Sequence, residues 1–254
     1  LYIGEIVSYK ILIIVLMIAT GLCEDKYGGY FGGWPVNQDK DKIENPGYEF
    51  ICLETLDKQE VGCQCFKDSD CKSGSCFSSP RVGQYCLQGE GTIFPRYNLI
   101  DQYGEIVDIY DFAGHGKFII IEFSTAWCRP CRELASWVTN GDDAVSKNRW
   151  WKEDYNIIKD LINDDRIYFI NIQIQDQYKE PSSLFSIEDW FQEYPDEKIP
   201  ILGDSNYYVR DWMRITGYPS VIVLNDRMEI VQFSIRGWHD AFNFISNINW
   251  DTNK

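Results

Sequence analysis

The sequence predicts a mixed α/β fold, with a central sheet flanked by helices, preceded by a small disulfide-rich module. From residue 91 onward, strand-like apolar runs alternate with helical runs, and such alternation produces a sheet covered on both faces. Before that point, six cysteines lie in a polar segment with too few aliphatic residues to bury a core, and such a segment needs covalent staples. We therefore expect two folded units after an N-terminal extension.

The first 22 residues have the order of a secretory signal. Lys10 precedes an apolar run at 11–18, and small residues follow at 19–21. The run is short for a membrane span, which takes about 20 residues. We expect residues 1–22 to be a signal peptide and the protein to be exported.

Two cleavage patterns compete after this run. Ala19, Thr20 and Gly21 suit an ordinary signal peptidase, whereas Cys23 after an apolar run resembles the lipobox of bacterial lipoproteins. Leu22 departs from that pattern, which has a small residue before the cysteine. The other eight cysteines can all be paired, which leaves Cys23 alone. The sequence favours a lipoprotein tethered to a membrane through Cys23, on the periplasmic or extracellular face.

Residues 23–47 are rich in glycine and aromatic residues and show neither helical nor strand periodicity. We expect a flexible tether here. The next segment, 48–90, is the cysteine-rich module, and export makes three structural disulfides the favoured interpretation, with about fifteen possible pairings. A zinc site is the rival, but the usual paired C-x-x-C spacing is absent. The six cysteines are Cys52, Cys63, Cys65, Cys71, Cys76 and Cys86.

Residues 91–254 carry the α/β pattern. An extended segment at 94–99 and a turn at 101–104 precede a buried strand at 117–123, and a helix follows Cys128. A helix near 150–162 and a second buried strand at 166–174 come next. Helix–strand units continue at 187–194, 199–202 and 207–215, then strands at 220–224 and 229–235 form a hairpin before a last helix at 240–248.

Charge and histidine content exclude several functions. The chain has 39 acidic and 24 basic residues, so it lacks the basic surface that binding to nucleic acid requires. His115 and His239 are too few for a histidine metal site or a catalytic relay. Cysteine chemistry is what remains, and we expect no metal.

Cys128 and Cys131 form a C-x-x-C pair between a buried strand and a helix. The first sulfur then lies at the helix N-terminus, where free N–H groups and the helix dipole favour a thiolate. We therefore expect Cys128 to attack and Cys131 to resolve the mixed disulfide, with Pro130 suited to the first helical turn.

Three motifs in this order resemble the thioredoxin superfamily, and within it the exported TlpA-like and redoxin branch. They are the strand and turn at 94–104, the Trp127-Cys128-Arg129-Pro130-Cys131 motif, and the Thr216-Gly217-Tyr218-Pro219-Ser220 loop. The resemblance covers residues 91–249 and implies a thioredoxin-like fold.

The resemblance also implies roles for four further residues. Glu122 lies where thioredoxin has its buried acid, so it would accept a proton from Cys131; a solvent-exposed Glu122 at the strand end is the equal alternative. Trp127, Tyr218 and a cis Pro219 would form the substrate-binding surface.

The leading hypothesis is an enzyme that exchanges disulfides on other exported proteins and is reset by an upstream thiol electron donor or acceptor. Arg129-Pro130 resembles the dipeptides of reducing members, which favours a reductase, and an oxidase or an isomerase stays open. The redox-active disulfide of this enzyme would be its only cofactor. A thiol peroxidase is the rival enzyme, because Thr125 and Cys128 match part of the peroxiredoxin motif, although Ile121 stands where that motif has proline. A non-catalytic scaffold is the alternative from another class.

Overall fold

The residues that the computed structural model describes are 29–49, 52–53, 58–79 and 83–250. The predicted signal peptide and the predicted lipidation residue Cys23 lie outside these ranges. None of the helices formed by the described residues is long and apolar enough to cross a membrane.

Disulfides and one hairpin form the cysteine-rich module. The hairpin pairs β1 (Cys76–Ser79) with β2 (Gly83–Cys86) in antiparallel register. Three sulfur atoms from two different bridges lie within 4.8 Å of one another and are buried, so the disulfides themselves form the module's centre. The structure therefore contains the disulfide-rich stretch that the sequence predicts. The bridges join Cys52 to Cys63, Cys65 to Cys76 and Cys71 to Cys86.

A seven-stranded mixed sheet is the centre of the larger unit. Its strands are β3 (Asn98–Asp101), β4 (Ile106–Asp108), β5 (Phe118–Thr125), β6 (Ile167–Gln175), β7 (Ile201–Gly203), β8 (Ser220–Leu224) and β9 (Ile230–Ser234). The spatial order is β4-β3-β7-β6-β5-β8-β9. Strands β5, β6 and β7 run parallel, and antiparallel strands extend the sheet at both edges. This confirms the predicted mixed sheet.

Helices flank the sheet, and within the described ranges five are α-helical. They are α1 (Arg129–Asn140), α2 (Ile157–Asn163), α3 (Leu184–Glu193), α4 (Tyr208–Met213) and α5 (His239–Ser246). Helix α1 ends at Gly141, whose φ of 72° lies in the left-handed region that glycine adopts without steric cost.

The central strands are apolar along their length because both faces of the sheet are covered. Side chains alternate between the faces, so Ile119 and Ile121 of β5 lie in one core and Ile120 lies in the other. Leu134 and Val138 of α1 pack in the same core as Ile120. This packing fixes α1, and the residues just before it, over the end of β5.

The N-terminal edge of the sheet differs from the sequence-based expectation. The extended segment predicted at 94–99 enters the sheet only at Asn98, because Phe94 and Tyr97 are buried in the core and the Phe94 N–H bonds instead to the Met228 carbonyl. Strand β4, which the sequence analysis does not predict, follows a turn at Gly104 and pairs with β3.

Residues 29–47 form an ordered strap on the larger unit, which corrects the prediction of a flexible tether at 23–47 for these residues. Trp34 is 5% exposed, and its Nε1 donates a hydrogen bond of 2.8 Å to Asp101, 67 residues further along. Lys40 Nζ lies 2.7 Å from Oδ2 of the buried Asp111. The composition of this segment shows its polar and aromatic residues, but it does not predict that they contact Asp101 and Asp111 of the larger unit.

Candidate active site

Cys128 and Cys131 form a disulfide at the junction between β5 and α1. Cys128 is the N-cap of α1: its N–H donates to the Thr125 carbonyl at 3.1 Å, and its Sγ accepts from the Cys131 N–H at 3.3 Å. The first N–H groups of a helix have no partner within the helix, so Sγ takes the place of a capping oxygen. The same N–H and the helix dipole stabilise a thiolate at Cys128 once the disulfide is reduced.

The two sulfurs differ in their surroundings. Cys128 is 3% exposed, whereas Cys131 is completely buried beneath the first turn of α1. Pro130 between them has no N–H, and none is needed in the first helical turn. Arg129 points into solvent and pairs with Glu133 at 2.7 Å, one turn along the helix. Of the two cysteines, only Cys128 has any surface in contact with solvent.

Glu122 is buried in β5, on the side of the sheet that α1 covers, with 1% of its surface exposed. Burial raises its pKa from 4.5 to about 8, and the hydrogen bond from Asn171 acts in the opposite direction. Its Oε1 has no hydrogen-bond partner among the described residues. It faces a cavity of about 20 Å³ that Ala135, one turn after Cys131, also lines. Such a cavity has room for one water molecule, which can relay a proton.

Asn171 of β6 holds this carboxyl in place. Its Nδ2 donates to Glu122 Oε2 at 2.9 Å, and its Oδ1 accepts from Ser124 Oγ at 2.9 Å. Sequence reasoning missed Asn171, although a polar residue inside the apolar run of β6 was a visible signal. Its partner could not be read from the sequence because the β5–β6 register, which sets Asn171 opposite Glu122, is a tertiary feature.

Trp127, Tyr218 and Pro219 lie beside the two cysteines. The Trp127 and Tyr218 rings meet edge to face, with centroids 5.9 Å apart, and Trp127 is 42% exposed. Tyr218 is half-buried against the cluster that contains both cysteines, and burial raises the pKa of its phenol. The Tyr218–Pro219 peptide bond is cis. The structure thus brings Trp127 and Tyr218 together beside the two cysteines, with Pro219 next in the chain, while Glu122 lines a cavity with Ala135 of α1.

A further set of residues fixes the Trp127 ring, and sequence reasoning missed it. Trp127 Nε1 donates to Gln175 Oε1 at 3.2 Å, and Gln175 Nε2 donates to the Tyr207 hydroxyl at 3.2 Å. Lys179 Nζ lies 5.3 Å from the centre of the Trp127 ring, within the range of a cation–π contact. These residues come from the end of β6, the following loop and the start of α4, so only the folded chain collects them.

No family model and no curated protein matches the chain. Solved structures that it resembles include a thiol:disulfide interchange protein from Bacteroides sp., with 18% identity and a TM-score of 0.45 over 65% of this chain and 95% of that one. The thioredoxin domain of a thiol-disulfide oxidoreductase from Bacteroides vulgatus gives 21% identity and a TM-score of 0.41, over 62% and 95%. An exposed lipoprotein thioredoxin from Streptococcus pneumoniae gives 17% and 0.37, over 54% and 87%. These likenesses are similarities of fold at low sequence identity.

Proposed function

We propose that the chain is a thiol-disulfide oxidoreductase that reduces disulfides in polypeptides through Cys128 and Cys131. The observation that carries this proposal is the pair itself: Cys128 caps α1, and Cys131 is buried behind it on the helix that also covers the buried carboxyl of Glu122. A purely structural disulfide has no need of a capping sulfur beside exposed aromatic residues or of a buried acid.

The proposed reaction moves two electrons from the reduced pair to the substrate. The Cys128 thiolate attacks one sulfur of the substrate disulfide, forms a mixed disulfide and releases the other sulfur as a thiolate. Cys131 then loses its proton and attacks Cys128 Sγ, which releases the second substrate thiolate and leaves the Cys128–Cys131 disulfide. An external dithiol resets the pair by the same exchange and is itself oxidised.

Glu122 is the proposed acceptor of the Cys131 proton, through water in the cavity that Glu122 lines together with Ala135, one turn after Cys131. A base works best when its pKa is close to the working pH, and burial brings that of Glu122 to about 8. Burying the ionised carboxylate costs free energy, so Glu122 in this form readily accepts a proton from the Cys131 thiol. The reaction needs no cofactor besides the redox-active pair.

The proposed substrate surface is formed by Trp127, Tyr218 and Pro219. Trp127 offers a ring with nearly half its surface exposed, held by Gln175, and Tyr218, directly before Pro219, packs against the cluster that contains the cysteines. An extended segment of substrate can pair with the Tyr218 backbone while its cysteine reaches Cys128. This favours disulfides in accessible polypeptide segments as substrates.

Turnover with site variants tests the proposal. The protein is supplied with dithiothreitol as donor and a disulfide-bonded polypeptide as substrate, and new substrate thiols are counted. We expect Cys128→Ser to abolish the catalysed reaction. We expect Cys131→Ser, reduced beforehand and mixed with the substrate after the dithiothreitol has been removed, to accumulate a mixed disulfide on Cys128, detectable by mass spectrometry, because the resolving thiol is missing.

Two other results would contradict the proposal. Fast consumption of hydrogen peroxide by the reduced protein, with no exchange on polypeptides, would identify a peroxidase. Unchanged biological activity of Cys128→Ser would identify a scaffold. The Cys131→Ser variant is the matched control for Cys128→Ser. Both variants lose one thiol of the same pair, but only Cys131→Ser retains the proposed nucleophile, Cys128.

We also propose that the protein is exported and anchored through Cys23, and that its partners are exported proteins with disulfides together with an upstream thiol donor. Three disulfides in the small module support export, because such bridges persist in oxidising compartments. Incorporation of labelled fatty acid that Cys23→Ser abolishes is the expected result. Labelling that persists in this variant would contradict lipidation at Cys23.

A further inference from the structure

Helix α4 leads directly into the loop that carries Tyr218 and Pro219. We call residues 214–219 the substrate loop; it connects the end of α4 at Met213 to the start of β8 at Ser220. The position of Tyr218 beside the cysteines therefore depends on how the end of α4 is held.

The cysteine-rich module holds that end. Gln88, two residues after β2, is 2% exposed, and its Nε2 donates a hydrogen bond to the Trp212 carbonyl. The last carbonyls of a helix have no partner within the helix, so this side chain from the module caps α4. In addition, Arg214 lies with its guanidinium carbon 5.6 Å from the centre of the Tyr85 ring, a cation–π contact.

Arg214 has a backbone conformation that needs such support. Its φ and ψ of 53° and 42° are left-handed, which is unfavourable for a residue with a side chain. Such a conformation persists where the surroundings impose it. The Arg214 N–H bonds to the Arg210 carbonyl, and the Tyr85 ring holds the side chain from outside the domain. The turn from α4 into the substrate loop is thus fixed partly by the module.

The opposite end of α4 is tied to the other side of the site. Tyr207, immediately before α4, is also left-handed, with a φ of 59°, and its hydroxyl accepts from Gln175, which in turn accepts from Trp127. One short helix therefore joins the module at one end to the Trp127 ring at the other, and continues into Tyr218.

We propose that the cysteine-rich module positions the substrate loop through α4, and that Gln88 and Tyr85 are the positioning residues. This inference rests on the proposed function, and it gives the module a part in binding polypeptide substrates. Tyr85 directly precedes Cys86, whose disulfide to Cys71 holds β2 in the module. A small-molecule disulfide such as glutathione disulfide needs only access to Cys128. The position of the substrate loop therefore affects exchange with polypeptide substrates selectively.

Replacement of Gln88 tests the inference. Gln88→Met keeps the length of the side chain and removes the donor, and Gln84→Met is the matched control, because Gln84 is an exposed glutamine of the same hairpin. Pre-reduced protein is mixed with a disulfide-bonded polypeptide or with glutathione disulfide. For Gln88→Met, we expect the half-saturating polypeptide concentration to rise about two- to tenfold, with the maximal rate and the glutathione disulfide rate unchanged.

Tyr85 provides a second test. We expect Tyr85→Leu to behave like Gln88→Met, and Tyr85→Phe to behave like the original protein, because phenylalanine keeps the ring that contacts Arg214. Equal losses with both substrates would overturn the inference, as would normal polypeptide saturation in Gln88→Met and Tyr85→Leu. If the original protein exchanges with neither substrate, the proposed function fails instead.

Discussion

Glu122→Gln replaces the buried carboxyl with an amide of nearly the same shape, and it should change the pH dependence of stability. Burial raises the pKa of Glu122 from 4.5 to about 8. Between these values the folded protein holds a proton that the unfolded chain has released, so raising the pH lowers the free energy of unfolding. The loss is about 1.4 kcal/mol for each pH unit, or about 4 kcal/mol between pH 5 and pH 8.

The glutamine variant has no proton to release, so this contribution disappears. Its amide oxygen can still accept the hydrogen bond that Asn171 Nδ2 gives to Glu122 Oε2 at 2.9 Å. Urea unfolding of the oxidised protein, measured from pH 5 to pH 9 for both forms, isolates the effect, because all other groups titrate alike. The variant should gain stability relative to the original protein as the pH rises towards 8. Parallel curves across this range would refute the assignment of a raised pKa to Glu122.

Further predictions concern the same acid and the strap. In Glu122→Gln, the pH profile of the rate at which Cys131 resolves a mixed disulfide should lose its inflection near pH 8. Stopped-flow measurement of the released substrate thiol gives this rate. An unchanged profile would show that Glu122 takes no part in proton transfer. Asn171→Ala removes a hydrogen bond that lowers the pKa of Glu122. The loss of stability with rising pH should therefore continue to a higher pH in this variant than in the original protein, as measured by urea unfolding. An unchanged end point would contradict the role of Asn171. Trp34→Ala should cost about 3 to 5 kcal/mol in urea unfolding, because it empties a core site and removes the hydrogen bond that Trp34 Nε1 gives to Asp101 Oδ2. A cost below about 1 kcal/mol would mean that the strap is not part of the core.

The features that local sequence determines were predictable. The apolar run of β5 followed by a C-x-x-C pair and a helical pattern placed Cys128 at the helix N-terminus, and the structure has it there as the N-cap. Strand β8 was also predicted with its observed bounds, since it is a short apolar run between turn residues. In these segments propensity, periodicity and tertiary packing agree, which is why local reasoning sufficed.

Features that depend on distant partners were not predictable. The sequence leaves open whether Glu122 is buried or exposed, because α1 covers its side of the sheet only in the folded chain. Its hydrogen-bond partner Asn171 follows from the β5–β6 strand register. The strap looked like a tether because Trp34 finds Asp101 only in the folded chain. Likewise, cysteine spacing predicted three bridges but could not choose their pairing, which depends on how the hairpin folds.

A redox titration of the protein tests the central claim most directly. Thiol labelling and mass spectrometry would follow Cys128 and Cys131 separately from the three module disulfides. A reductase pair should titrate reversibly near about -270 mV, while structural disulfides, whose own potentials lie below about -300 mV, stay oxidised at that point. A potential near about -120 mV would contradict the reducing direction and identify a disulfide donor. A pair that is reduced only together with the module disulfides would contradict the assignment of Cys128 and Cys131 as a redox site.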